Sequence, residues 1–248
     1  MFGRQKVAML LAEFLGTGAL TLLILSVQRS TIGVPFFVAM AAGLTVIMMS
    51  FAVGGASGGH FNPAITFGHW VVRKISTLNG LLYIVVQLLG AWGAYGIYRY
   101  FVNTSLQPIG GHFTWRVFVA EMVGALIFGF GFASAVYQKF SRAANAAFIG
   151  LSLMLGIVAA STASIGILNP AVALGIRAWG FVGWMGLGTF VAGPIVGAVV
   201  GFLIYATVFS EENPWQMVTS SRAAVTSGSS SVAKKPATRK KLASRKKK

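Results

Sequence analysis

Apolar residues run along this chain in six long blocks, near Val7 to Val27, Val34 to Val53, Leu78 to Phe101, Trp115 to Tyr137, Ala144 to Ala163 and Val182 to Phe209. A helix needs about 20 apolar residues to cross a hydrocarbon core ~30 Å thick, so each block predicts a membrane-spanning helix. Two shorter segments, Asn62 to Val72 and Asn169 to Trp179, follow the second and the fifth block. At ~1.5 Å rise per residue, about eleven residues reach only halfway through that core. They predict two half-helices.

Both short segments open on the same triplet. The first lies in Gly58-Gly-His-Phe-Asn-Pro-Ala-Ile-Thr-Phe-Gly68, the second in Gly166-Ile-Leu-Asn-Pro-Ala-Val-Ala-Leu-Gly175. Asn is a good N-cap, and Pro suits the first helical position because its φ is fixed and it has no N–H to leave unpaired. A single Asn-Pro would mark no more than a capped helix. Here the context repeats too, because Ala12-Glu13-Phe14-Leu15-Gly16 precedes the first triplet and Ala120-Glu121-Met122-Val123-Gly124 the second. Glu13 stands 49 positions before Asn62, and Glu121 stands 48 before Asn169. Self-similarity at a fixed offset marks a duplicated unit. Each copy holds three spans, an odd number, so the second copy enters the membrane from the opposite face and the two half-helices meet near the midplane. The fold class expected is an all-α membrane protein, six transmembrane helices plus two re-entrant half-helices in an inverted repeat. Residues 1–213 form that domain, with repeat one about 7–101 and repeat two about 115–209, and residues 214–248 form a disordered basic tail.

Composition agrees with the block pattern. Of 248 residues 56% are hydrophobic and 10% charged, and the mean hydropathy is +0.75, values that belong to membrane proteins. The absence of cysteine excludes a disulfide framework and a thiolate site. Val7 to Val27 is too long for a cleavable signal and is read as a signal-anchor helix. The net charge of +16 would suit nucleic acid, but ten of the 20 Lys and Arg follow Pro214 and most others sit at block ends; no nucleic-acid partner is expected. With both termini cytoplasmic, sixteen basic residues lie inside and four (Arg29, Arg99, Arg116, Arg177) outside, as the positive-inside rule requires. The tail can bind anionic lipid head groups or simply fix topology. Gly193, Gly197 and Gly201 suit close helix packing in lipid.

Two helix N-termini meeting at a midplane present partial positive charge and unpaired N–H groups, which repel cations and welcome neutral hydrogen-bond acceptors. Asn62 and Asn169 are expected to cap their own helices and direct amide N–H groups into a lumen. A carboxylate inside a span is costly unless satisfied. Glu13 and Glu121 are therefore expected to accept hydrogen bonds from the non-helical backbone before each half-helix, residues 54–61 and 161–168; the alternative is a proton relay in a coupled secondary transporter. With four carboxylates and three scattered His, no triad, metal cluster or cofactor site can be assembled, and an enzyme is not expected.

These motifs together resemble the aquaporin, or major intrinsic protein, family, over roughly Val7 to Phe209 and including Gly193-Pro194. The resemblance implies a right-handed bundle, a homotetramer with one pore per protomer, and passive passage of water or small neutral solutes. It places pore motifs on Asn62, Pro63, Ala64, Asn169, Pro170 and Ala171, and a selectivity constriction on Ala42, Ile157, Gly166 and Val172. Most members carry Arg where this chain has Val172, so the constriction is expected to be wide and without a polar side chain. That favours glycerol, urea, ammonia or dissolved gas beside water, although an apolar ring can also dewet and close. His60 matches a family His that packs beside the first loop, while His69 and His112 have no evident partner in the sequence. A multi-pass protein of a cell (plasma or inner) membrane is expected.

Overall fold

In the computed structural model, which describes residues 3–104, 113–177, 186 and 188–212, six helices are long and apolar enough to cross a membrane. They are α1 (Arg4–Gln28), α2 (Pro35–Ser57), α4 (Thr77–Val102), α5 (Trp115–Gln138), α6 (Arg142–Ala160) and α8 (Gly188–Phe209); two short helices, α3 (Pro63–Val71) and α7 (Pro170–Gly175), complete the set. All six expected spans are present, with bounds within a few residues of those expected except at the start of the last, which falls among residues outside the description. Trp179, Val182, His112 and the tail after Pro214 lie outside the described residues.

Local chemistry explains the helix starts. Pro35 opens α2 at its first position, and the side chains of Ser76, Thr114 and Ser141 accept from Asn79 N, Val117 N and Ala144 N at the starts of α4, α5 and α6, each satisfying a donor with no intrahelical partner. Residues 54–57, expected to be non-helical, instead prolong α2 until Gly58, whose φ of 92° ends it in the left-handed region. Gly is the residue that adopts this conformation without a Cβ clash. α8 is uneven: π turns at Gly188–Ala192 and Tyr205–Phe209 flank the α segment Gly193–Ile204. Pro194 lacks an N–H, and a π turn is one way for a helix to absorb that loss without breaking.

Packing repeats the duplication. α1 packs on α2 and α4 as α5 packs on α6 and α8, and α2 crosses α6 between the copies. At that crossing a Cβ on either Gly43 or Gly150 would collide with the other's carbonyl oxygen, the close approach that small residues permit in lipid. Each half-helix packs mainly on the last span of the other copy, α3 on α8 and α7 on α4. The outward faces are apolar, as in Leu78, Leu81, Val85 and Trp92 of α4, which suits a hydrocarbon solvent.

One end of the bundle is tied by charge. Glu212 bridges Lys74 and Lys139, each at 2.9 Å, and Lys74 Nζ also sits 4.5 Å from the Tyr137 ring. Hydrogen bonds from Lys74 and then Lys139 hold the Glu212 carboxyl down to about 2. A depressed carboxyl stabilises above its ordinary range and loses that contribution as pH falls through the range toward 2. Glu212→Gln is expected to speed amide exchange at residues 210–212 at pH 7 and low salt. The difference should shrink as pH falls through that range toward 2 and in high salt, and a pH-independent difference would contradict the bridge.

Candidate functional site

The two Asn-Pro-Ala triplets come together at the centre of the bundle. Asn62 Oδ1 accepts from Ala64 N at 2.8 Å, and Asn169 Oδ1 accepts from Ala171 N and Val172 N at 3.0 and 3.3 Å. Each amide therefore caps its own half-helix. Its nitrogen crosses to the other copy: Asn62 Nδ2 donates to Leu168 O and Asn169 Nδ2 to Phe61 O, both at 2.9 Å. The expectation that the amide donors face a lumen is corrected in part, because one N–H of each is spent on the opposite loop.

The carbonyls that receive these bonds are aimed by unusual backbone. Gly59, Phe61, Gly166 and Leu168 have φ of 68°, 47°, 64° and 53°, so the same left-handed pattern precedes Asn62 and Asn169. For bulky residues such as Phe61 and Leu168 this conformation costs about 1–2 kcal/mol each and persists only where surroundings over-determine it.

Glu13 and Glu121 supply that determination, since both are fully buried. Glu13 Oε1 accepts from His60 N at 3.0 Å, and Oε2 accepts from Phe61 N and Gln87 Nε2, both at 2.7 Å. Glu121 accepts from Ile167 N at 3.0 Å, from Leu168 N at 2.8 Å and from the Ser164 hydroxyl. Each carboxylate ties a span to the loop of its own repeat through fixed N–H donors. A proton relay needs a carboxylate free to exchange partners, and neither is placed so.

Gln87, Thr66 and Ser164 were missed by sequence reasoning. Thr66 Oγ1 donates to Asn62 O and also meets Gln87 Nε2 and His60 Nδ1, all at 3.1 Å. Polar residues inside apolar blocks were the available signal. His69, without an evident partner in the sequence, stacks on His60 with ring centroids 3.9 Å apart and places Nδ1 3.0 Å from Ile65 O. Phe132 packs edge-on against both rings.

The residues assigned to a constriction are packed tightly. Ala42, Ile157 and Val172 are 0%, 1% and 0% exposed, and a Cβ on Gly166 would lie 2.9 Å from Ile157 O. Apolar groups hold no water between them, and contact between them recovers dispersion that a void would forfeit.

Six spans, an inverted duplication and two half-helices locked tip to tip define an integral, multi-pass membrane protein of the channel type, not an enzyme. The profile described as Major intrinsic protein matches residues 4–205, and the chain belongs to that family. It is 30% identical over 234 residues to a probable aquaporin, PIP2-7, of Oryza sativa subsp. japonica, covering 82% of this chain and 79% of that one. It is 31% identical over 220 residues to Aquaporin Z of Brucella melitensis biotype 1, covering 78% and 94%. A glycerol uptake facilitator protein-like 6 of Lactiplantibacillus plantarum is 29% identical over 217 residues, covering 82% and 98%. Among solved structures, the aquaglyceroporin from Plasmodium falciparum has the same fold, with a TM-score of 0.69 at 21% identity over 82% of this chain and 96% of that one.

Proposed function

We propose that the chain is a passive channel for small uncharged solutes, water among them, filtered at an apolar ring of Ala42, Ile157, Gly166 and Val172. The observation that carries this is the junction of the half-helices, where Asn62 and Asn169 cross-bond the two loops. Opposed half-helix N-termini form a barrier to protons and cations in pores of this type. Each Asn amide keeps a second N–H to greet a solute that accepts a hydrogen bond. The pore motifs are Asn62-Pro63-Ala64 and Asn169-Pro170-Ala171, with Glu13, Glu121 and His60 holding the loops.

The ring sets the solute preference. A solute passing Val172 finds no side-chain partner there, so it loses water's hydrogen bonds without replacement, at a cost that rises with the number of its polar groups. Ammonia and water are favoured over urea, and urea over glycerol. The names of the relatives, which include aquaporins and a glycerol uptake facilitator, support the class of solute. The basic ends of the spans support an orientation with both termini cytoplasmic, and the family supports assembly as a homotetramer.

Stopped-flow light scattering on proteoliposomes tests the reading. Permeability to ammonia, water, urea and glycerol should exceed that of empty liposomes in that falling order. Glycerol equal to or ahead of ammonia, relative to empty liposomes, would mean that the ring does not filter.

A further inference from the structure

We propose that the cleft between α3 and α4 is a binding site for one acyl chain of an anionic phospholipid, with its head group at the basic end of the bundle. The cleft has a volume of about 100 Å³ and opens outward between Phe67 and Trp70 of α3 and Leu81 and Ile84 of α4, over a floor of Thr66 and Gly80. That is short of the roughly 300–1,000 Å³ of a drug-sized ligand pocket and suits part of a single hydrocarbon chain. From Thr77 to Ile84 it follows α4 for two turns, about 10 Å.

Gly80 shows that the space is kept open. At Gly18, Gly43, Gly124 and Gly150, a Cβ would meet a neighbouring helix's carbonyl oxygen at 3.2 Å or less; at Gly80 it would meet nothing closer than Thr66 Cγ2, at 3.8 Å. Gly80 is buried, yet its missing side chain brings no helix nearer.

The lining excludes a polar occupant. Thr66 turns its methyl toward Gly80 while its hydroxyl is bonded to Asn62 O, Gln87 and His60 on the far side. Thr77 Oγ1 accepts from Trp70 Nε1 at 3.0 Å, which engages the indole donor and leaves the Thr77 O–H, at the end of the cleft, as the one remaining donor among these groups. A space with apolar walls and one donor at its end does not hold water, whereas a hydrocarbon chain loses nothing by entering it.

Charge selects the head group. Residues 72–76 connect α3 to α4 next to Thr77, one of the lining residues, and carry the exposed Arg73 and Lys74. Lys6 lies beside Asn79, Arg142 beside Gly55, and Lys139 shares Glu212 with Lys74, so basic residues crowd this end. Basic clefts between membrane helices bind anionic head groups. An anionic lipid brings the opposite charge to these residues.

The test is native mass spectrometry of the full chain in mild detergent with dioleoyl phosphatidylglycerol or dioleoyl phosphatidylcholine. Wild type is expected to retain phosphatidylglycerol about tenfold better, and Gly80→Leu, which fills the cleft, to lose that retention about tenfold. Gly96→Leu puts the same side chain on the same helix where a Cβ meets nothing within 4 Å, and should bind as wild type does. Equal retention by Gly80→Leu and wild type, or by the two lipids, overturns the proposal. So does a changed oligomeric mass in Gly80→Leu with lipid retention intact, which would make the face a contact between copies. Should Gly80→Leu fail to fold, quenching by lipids brominated on the acyl chain decides, read as wild type less Trp70→Phe. Saturable quenching that favours phosphatidylglycerol supports the site, and equal quenching by both lipids overturns it.

Discussion

Val172→Arg is expected to cut ammonia and urea permeability at least tenfold in proteoliposomes, and Val172→Ala to raise urea and glycerol permeability several-fold. The opposite signs follow from the packing. Val172 is wholly buried in the second half-helix, two positions past the start of α7, with its N–H held by Asn169 Oδ1 at 3.3 Å. Arg there adds bulk where no space exists, and overpacking of this kind displaces neighbours at about 1–3 kcal/mol. It also adds a charge that no nearby carboxylate meets, since Glu13 and Glu121 are engaged by the loops. Ala removes two methyl groups from the ring and leaves the cap and the loop unchanged. Both rates are to be read on protein shown to be folded by monodisperse elution. Unchanged permeability in both variants would move the filter away from Val172.

Removing either buried carboxylate should have the largest effect on folding. Glu13→Leu leaves His60 N, Phe61 N and Gln87 Nε2 without their acceptor. Each buried donor so orphaned costs about 1–3 kcal/mol, and three of them approach the ~5–15 kcal/mol that holds a typical protein folded. Glu121→Leu strands Ile167 N, Leu168 N and the Ser164 hydroxyl in the same way. Little folded protein is expected from either, measured as monodisperse yield from detergent extraction. Glu13→Gln keeps one acceptor oxygen and sets an amide NH₂ against a backbone N–H, so it should fold with lowered thermal stability. The folded fraction should conduct neutral solute as wild type does. A proton relay predicts the reverse, normal stability with lost transport.

The sequence carried the fold because the bilayer fixes segment length and the duplication fixes topology. The six blocks and the ends of α1, α4 and α5 were legible to within a few residues, and the pairing of Glu13 with the first loop and Glu121 with the second could be argued from desolvation alone. The bonds that join the copies could not. Asn62 meets Leu168 and Asn169 meets Phe61 across 106 and 108 positions, and no local pattern announces which carbonyl will face an amide. The left-handed backbone at Phe61 and Leu168 was hidden for a related reason, since a bulky residue adopts it only under tertiary constraint. His69 stacks on a ring from a preceding loop, an arrangement set by how α3 folds back toward the loop that carries His60. The close burial of Ala42, Ile157 and Val172 was equally illegible, because residue types along a chain do not give the separation of side chains from different helices.

The most direct test of a passive channel is uptake of ammonia and urea into proteoliposomes with the proton gradient set to zero, inward and outward, together with the current across a planar bilayer holding the same protein. The account predicts uptake above empty liposomes that follows the solute gradient, is indifferent to the proton gradient after correction for the ammonium equilibrium, and carries no current. Urea accumulated uphill under a proton gradient, or folded protein that conducts no better than empty liposomes, would contradict it.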